Sequence, residues 1–364
     1  MMLLERYGHG GDLLTAAELY GHQTESFLDY SSNMNPAGPP NVVEKMIVER
    51  WHDIVRYPDP STRQLIQAIS THYQIPIENI LVGNGAAELL DLAVRVVQPS
   101  CTAVTAPSFV EYAQNALRAR SKLYHIPLRV EQQFDLQVED VQQALDEADL
   151  LMLGHPNNPT GRLIPKQVMQ LLADADHALI IDEAFLDFLP NEAEYTQMHR
   201  ALERKNWFVI RSMTKFFAIP GVRLGFVVAH AALISEMRNL QVHWSVNHFA
   251  QAIGEAVLAD RDYINHTKDW ARIEISWLRA RLQALGFAVT DSKVNYLLMR
   301  IPDFWSFDVK TLQHSLGKKA ILIRDASLFE GLDHRYFRLA VRSRADNERL
   351  LVILQETVKE LCAF

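Results

Sequence analysis

Val209-Ile210-Arg211-Ser212-Met213-Thr214-Lys215-Phe216-Phe217-Ala218-Ile219-Pro220-Gly221-Val222-Arg223-Leu224-Gly225 is the stretch from which the rest of the chain can be read. It sets a lysine beside two hydroxyl residues, Ser212 and Thr214, among apolar neighbours, with Arg223 a short loop away. A lysine in such a setting loses solvation, so its charged form is disfavoured and its amine becomes the better nucleophile. Amines of this kind form Schiff bases with aldehydes. Ser212, Thr214 and Arg223 offer two hydroxyls and a guanidinium to a phosphate dianion. The plainer reading, a strand end followed by a surface loop, stays open until other segments supply partners.

The chain has 364 residues, enough for roughly two domains. Its 48% hydrophobic and 22% charged residues are those of a globular protein with a sizeable core. A formal net charge of −8 argues against non-specific binding to nucleic acid or anionic membranes. Cys101 and Cys362 make neither a metal-ligand spacing nor a disulfide framework, so no metal is expected and a reducing cytoplasm fits best. Met1 to Leu13 lacks the apolar core and cleavage site of an export signal, and no run reaches membrane-spanning length.

Upstream of the opening stretch, Leu81-Val82-Gly83-Asn84-Gly85-Ala86-Ala87-Glu88 reads as a short strand or loop, then glycines, then a helix start. Free amides and the helix dipole there suit a phosphate, although the spacing is neither a dinucleotide fingerprint nor a Walker loop. Between Ala103 and Ile210, short apolar runs (103–106, 150–153, 178–181 and 208–210) alternate with helical stretches such as 138–147 and 165–175. Such alternation implies an α/β domain with a mostly parallel sheet, whose ligands gather at the carboxyl ends of the strands. Polar or special residues follow each run: Pro107-Ser108-Phe109, Asn157-Asn158-Pro159-Thr160-Gly161, Asp182, and Ser212 to Lys215. Asn41 to His52 reads as a helix that Pro58 and Pro60 close off, with Ser61 as N-cap of the next. From Asn247 to about Leu285 the pattern is one long helical stretch. Strands are expected at 287–289, 295–301, 321–324 and 336–341, before a closing helix over 345–361.

Taken together, these motifs resemble the fold-type I pyridoxal-phosphate enzymes of the class I/II aminotransferase family, in that family's order and over nearly the whole chain. The resemblance implies a large domain with a mostly parallel, seven-stranded sheet and a smaller α+β domain built from both termini. It divides the chain into an arm with part of the small domain (1–45), a cofactor-binding domain (46–265) and a C-terminal domain (266–364). It implies pyridoxal 5′-phosphate as cofactor, with Lys215 as the Schiff-base lysine. Asp182, in Ile181-Asp182-Glu183-Ala184, matches the carboxylate facing the pyridine nitrogen. Asn158 matches the asparagine on the ring hydroxyl, and Phe109 the aromatic stacked on the ring. Ala86 and Ala87 match backbone phosphate donors, joined by Ser212, Thr214 and Arg223. Pro107 and Pro159 match prolines that are often cis. Tyr57 matches a tyrosine that reaches the neighbouring subunit's cofactor phosphate, which implies a homodimer with shared sites.

One departure stands out. Phe185 occupies the position, three residues after the aspartate, where the family commonly has a tyrosine. Arg338 matches the arginine for a substrate carboxylate, and Arg324 the phosphate end of the pocket in histidinol-phosphate aminotransferases; two guanidiniums suit a substrate with two anionic groups. Within the family the likeness is strongest to the threonine-phosphate decarboxylases of cobalamin biosynthesis, through His9-Gly10-Gly11-Asp12, Ser32-Asn33-Met34-Asn35-Pro36 and Phe185. That likeness implies decarboxylation of a small phosphorylated amino acid, L-threonine O-3-phosphate, with His9 and Asn33 near the substrate. Histidinol-phosphate aminotransferase is the alternative. A non-catalytic regulatory descendant fits less well, because Lys215, Asp182 and Arg223 are all intact.

Overall fold

The computed structural model describes Leu4 and residues 10–363, so His9 lies outside the described residues. Its first strand, β1 (Leu28–Asp29), belongs to the smaller unit. The next seven form one sheet: β2 (Ile80–Gly83), β3 (Cys101–Ala106), β4 (Lys122–Pro127), β5 (Leu150–Gly154), β6 (Ala178–Asp182), β7 (Trp207–Ser212) and β8 (Gly225–Ala229). Their order is β2-β8-β7-β6-β5-β3-β4, and β8 alone runs against its neighbours. The turn back at β8 needs only a short link, where a parallel return would need a full crossover. Ser212 therefore pairs with Gly225, and the whole Lys215–Arg223 loop stays at one edge of the sheet.

Central strands are apolar on both faces because helices cover both. In β5, Leu151 and Leu153 enter one core cluster and Leu150 and Met152 the other. Leu89, Leu90 and Ala93 of the helix Ala86–Val97 pack on the second face, with Ile234 and Met237 of the helix Ala231–Leu240. Each of these leucine, isoleucine and methionine side chains contributes about 1.5–3 kcal/mol when fully buried. These two interfaces therefore fix the frame on which the loops sit.

The smaller unit has β9 (Ala288–Val289), β10 (Tyr296–Arg300), β11 (Ile321–Leu322), β12 (Arg324–Asp325) and β13 (Tyr336–Ala340). Its antiparallel sheet runs β12-β13-β10-β9, and β1 pairs in parallel with β11, so the N-terminal segment completes it. The division expected at residue 265 falls inside the helix Arg261–Ala284.

Local differences from the sequence reading have identifiable causes. Asp59, not Ser61, holds the helix Arg63–Tyr73: its carboxylate accepts from the Arg63 and Ser61 amides at 3.0 and 3.1 Å. The helix begun at Asn41 ends at Arg50 and tightens into a 3₁₀ turn over Trp51–Val55. The long stretch after Asn247 is two helices, His248–Ala259 and Arg261–Ala284; Asp260 breaks them and caps the second through the Tyr263 amide. The run 321–324 splits at Ile323, because its first half pairs with β1 and its second with β13. The Ala106–Pro107, His155–Pro156 and Asn158–Pro159 bonds are cis.

Gly161 sits where the two units touch. Its φ is +69°, and a Cβ there would overlap Ser292 Oγ. Its carbonyl accepts from the Lys293 amide at 3.0 Å. Gly161→Ala is expected to lower the unfolding free energy by about 1–3 kcal/mol, from backbone strain and overpacking together. Denaturant titration reads the loss; an unchanged midpoint would show that this loop yields freely.

Candidate active site

Strand parity sorts the side chains at the carboxyl edge. Along β6 and β7, Ile180, Phe208 and Ile210 face the helix Ala86–Val97, so Asp182 and Ser212 fall on that same face. Lys215 follows in a single helical turn, Met213–Phe216, with Nζ 3.3 Å from Ser212 Oγ and 5.7 Å from the centre of the Phe185 ring. Burial lowers the pKa of its amine; Asp182 opposes that, and the positive charges of Arg223 and Arg338 add to it. The result is an amine biased toward its neutral, nucleophilic form.

Asp182 is 7% exposed. Burial raises its pKa, while the Tyr112 hydroxyl at 2.8 Å, the charge on Lys215 and the Ala184 amide at 3.0 Å favour the carboxylate. Tyr112 is a site residue that the sequence reading missed. It stands three residues after Phe109, and their rings meet edge-on at 5.7 Å. Helical spacing from the expected stacking residue was the available signal.

At the other end, Gly85 (φ +80°) immediately precedes the helix that Ala86 opens, with the side chain of Arg223 packed where a Cβ would lie. Gly225 is confined in the same way, since a Cβ would come within 2.8 Å of the Ala86 nitrogen. These two glycines let the helix N-terminus, Ser212, Thr214 and Arg223 converge on one wall of a cavity of about 400 Å³. Helix-end amides, two hydroxyls and a guanidinium form a donor set for a phosphate. With Lys215 for an aldehyde, Asp182 for a ring nitrogen and the Phe109 ring beside them, the residues present fit pyridoxal 5′-phosphate.

The third wall comes from the smaller unit. Arg324 and Arg338, 2% and 5% exposed, line the cavity from β12 and β13. Arg338 donates to Asn158 Oδ1 at 2.5 Å and to the Ser31 carbonyl at 2.9 Å, and its guanidinium lies 5.4 Å from the centre of the Tyr296 ring. Asn158 thereby turns its Nδ2 donor away from Arg338. Asn157 lies outside the cavity lining and braces the loop, donating to the Pro107 carbonyl and to Thr160 Oγ1. Asn33 also lines the cavity, and its Oδ1 is buried without a hydrogen-bond partner. Gly10, Ser31, Ser32 and Phe329 join the same wall, none of them named as a site residue from the sequence.

The structure thus brings Ala86, Ala87, Phe109, Asn158, Asp182, Ser212, Thr214, Lys215, Arg223, Arg324, Arg338 and Asn33 around one cavity. Tyr57 is not among its lining residues: it is 82% exposed and lies beside Trp244, ring centres 4.9 Å apart. Among the described residues no helix is long and apolar enough to cross a membrane.

Comparisons with known proteins point to one family. The profile of the family described as aminotransferase class I and II matches residues 25–354. The threonine-phosphate decarboxylase of Salmonella typhimurium is 35% identical over 98% of this chain and 98% of its own. The L-threonine-O-3-phosphate decarboxylase structure from Porphyromonas gingivalis superposes with a TM-score of 0.80 at 25% identity, covering 91% of this chain and 99% of the other. A histidinol-phosphate aminotransferase structure from Clostridium acetobutylicum gives 0.85 at 29% identity, over 91% and 99%.

Because Tyr112 donates to the ionised form of Asp182, Tyr112→Phe should raise that carboxyl's pKa further. The expected loss is about 1–3 kcal/mol of stability in the ligand-free chain near neutral pH. The sign follows from the charge: the deficit is full where Asp182 is ionised and shrinks as pH falls and both proteins protonate it. Denaturation at neutral and acidic pH measures this. A pH-independent deficit would mean that the hydroxyl does not discriminate between the two forms of Asp182.

Proposed function

Since the chain belongs to the aminotransferase class I and II family, we propose that it is a pyridoxal-phosphate-dependent carboxy-lyase. It converts L-threonine O-3-phosphate into (R)-1-amino-2-propanol O-2-phosphate and carbon dioxide, a step of cobalamin biosynthesis. One observation carries the substrate class. Arg324 and Arg338 are directly opposite partners across β12 and β13, so both project from the same sheet face into the cavity. Guanidiniums bind carboxylate and phosphate bidentately. A ligand with both a carboxylate and a phosphate matches such a pair, and threonine phosphate carries both on a short skeleton. The likeness in sequence to a threonine-phosphate decarboxylase over nearly the full length supports the same choice.

When bound, the cofactor supplies an aldehyde that condenses with amines and a pyridinium ring that takes up the electron pair of the bond that breaks. Lys215 would hold the aldehyde carbon, Phe109 a ring face, and Asn158 Nδ2 the ring hydroxyl. Ala86, Ala87, Ser212, Thr214 and Arg223 would hold the phosphate. Asp182, whose carboxylate form Tyr112 and the Ala184 amide favour against burial, would hold a proton on the cofactor's ring nitrogen. Phe185 brings no hydroxyl to the ring oxygen, which leaves that contact to Asn158. Arg338 and Arg324 would grip the anionic ends of the substrate and so select which Cα bond breaks, and Asn33 and His9 would serve as further substrate contacts. The Cα–carboxylate bond breaks, carbon dioxide leaves without the electron pair, and Lys215 Nζ delivers the proton that replaces it on Cα.

The test is turnover of L-threonine O-3-phosphate with no 2-oxo acid present. Sustained carbon dioxide release is expected, and Arg324→Ala and Arg338→Ala should each lower kcat/KM by about a hundredfold or more. Turnover of histidinol phosphate that strictly requires 2-oxoglutarate would replace this reading with the aminotransferase one.

A homodimer with shared sites belongs to the same proposal, as does a reducing cytoplasm, which suits two free cysteines. Tyr57 lies beside the exposed Trp244 and follows a turn whose Trp51, Ile54 and Val55 are exposed. Exposed apolar side chains there, with a tyrosine expected at a neighbour's phosphate, suit a second copy of the chain. Sedimentation should give a dimer, and Tyr57→Ala should weaken cofactor retention about tenfold with the fold intact. An active monomer would overturn this part.

A further inference from the structure

Behind Asp182 and Ser212, on the opposite face of the same two strand ends, lies a group of buried charges that the reaction does not use. Strand parity puts Glu183 and Arg211 there, on the face where Leu179, Ile181, Trp207 and Val209 enter the other core cluster. Arg211 is 1% exposed and Glu183 0%. Arg211 Nε donates to Glu183 Oε2 at 2.9 Å, and its Nη1 donates to Asp187 Oδ1 at 2.6 Å and Glu192 Oε2 at 2.9 Å. Each carboxylate has a second anchor. Thr196 Oγ1 and the Gln197 amide donate to Glu183 at 2.8 and 2.7 Å. The Tyr73 hydroxyl donates to Asp187 at 3.1 Å, and Lys268, from the helix Arg261–Ala284, reaches Glu192 at 3.0 Å. None of these side chains lines the cavity, so none can meet substrate or cofactor directly.

Such a cluster is a poor way to gain stability. Desolvating buried charges costs several kcal/mol per ion, and well-packed apolar side chains of similar volume often serve as well or better. What it provides is geometric definition: a planar guanidinium fork admits few arrangements of its carboxylates. Its position says which geometry is defined. Glu183 adjoins Asp182, and Arg211 adjoins Ser212 at the root of the Lys215 turn. Beyond the last paired residues the strands are joined by the Glu183 amide to the Ile210 carbonyl at 2.8 Å. The Arg211–Glu183 pair then holds them side chain to side chain.

We infer that Arg211 is a positioning residue: with Glu183 it fixes the separation between Asp182 and Lys215, and through it the charge balance of the reactive amine. The inference rests on the reading of Lys215 and Asp182 as cofactor residues. It has a distinctive consequence. Asp182 is the charge that opposes the downward pull of burial on Lys215, so letting the two strand ends drift apart changes the titration of the lysine without touching a residue of the cavity. Asp187 is pushed upward by burial and by Glu192, whereas Arg211 is held firmly in its charged form by its three carboxylates despite burial. The fork is therefore a permanent cation.

Arg211→Lys keeps the charge and removes the fork; Glu183→Gln keeps the shape and removes the charge. Both are loaded with pyridoxal 5′-phosphate and followed by the pH titration of visible absorbance, by cofactor affinity, and by thermal melting. The expected result for folded variants is a titration midpoint displaced by about half a unit or more and cofactor affinity about tenfold weaker. Folded variants with lower melting temperatures but the parent's midpoint and affinity would overturn the inference, reducing Arg211 to a stabilising residue. If Arg211→Lys fails to fold, Glu183→Gln decides alone. A parent chain that takes up no cofactor overturns the reading of the cavity itself, and this inference with it; a parent that titrates, with variants that match it, overturns this inference only.

Discussion

The register between β6 and β7 at their carboxyl ends is the constraint on which the site depends. Asp182 pairs with Ile210, and the Glu183 amide still reaches the Ile210 carbonyl one residue further. That alignment puts a carboxylate and a lysine turn side by side in a place poor in water, where each alters the ionisation of the other. The antiparallel return of β8 brings Arg223 to the same edge, and Gly85 leaves room for its side chain. A slip of one residue would turn Asp182 to the far face and Glu183 to the near one.

Chemistry carried by contiguous residues was legible in the sequence. Lys215 with its flanking hydroxyls, the glycines before Ala86, the Asn157-Asn158-Pro159-Thr160-Gly161 loop and Asp182 at a strand end are local patterns, each imposed by its own backbone. The α/β alternation was legible for the same reason, since a parallel strand buried on both faces must be apolar throughout. The count of seven strands came from the family resemblance; the alternation itself offered four, and β4 and the reversed β8 were not among them.

What stayed hidden depends on residues far apart in the chain. Tyr112 looks like an ordinary helix tyrosine until its hydroxyl is found on Asp182, seventy residues later in sequence. The pairing of β1 with β11 joins residues 28–29 to 321–322, and no periodicity announces it. Asp59 rather than Ser61 holds its helix because the backbone at Thr62 has a φ of +47°, which sets the Asp59 carboxylate against the first amides. Arg324 and Arg338 could each be named from sequence; that they oppose one another across a strand pair could not.

Asn35 bears on how such a scaffold can change its substrate. Its amide donates to the Lys215 carbonyl at 3.1 Å, and its side chain to the Phe216 carbonyl, Tyr263 and Thr267. Two residues earlier in the same segment, Asn33 lines the cavity. The peptide that faces the ligand is therefore stitched to the lysine turn, and an exchange there disturbs grip and chemistry together. Arg324 stands on a two-residue strand that, among the described residues, is hydrogen-bonded in the sheet to β13 alone. Inheritable novelty in what is bound, with the chemistry preserved, has its open route through β12 and not through the Asn33–Asn35 segment.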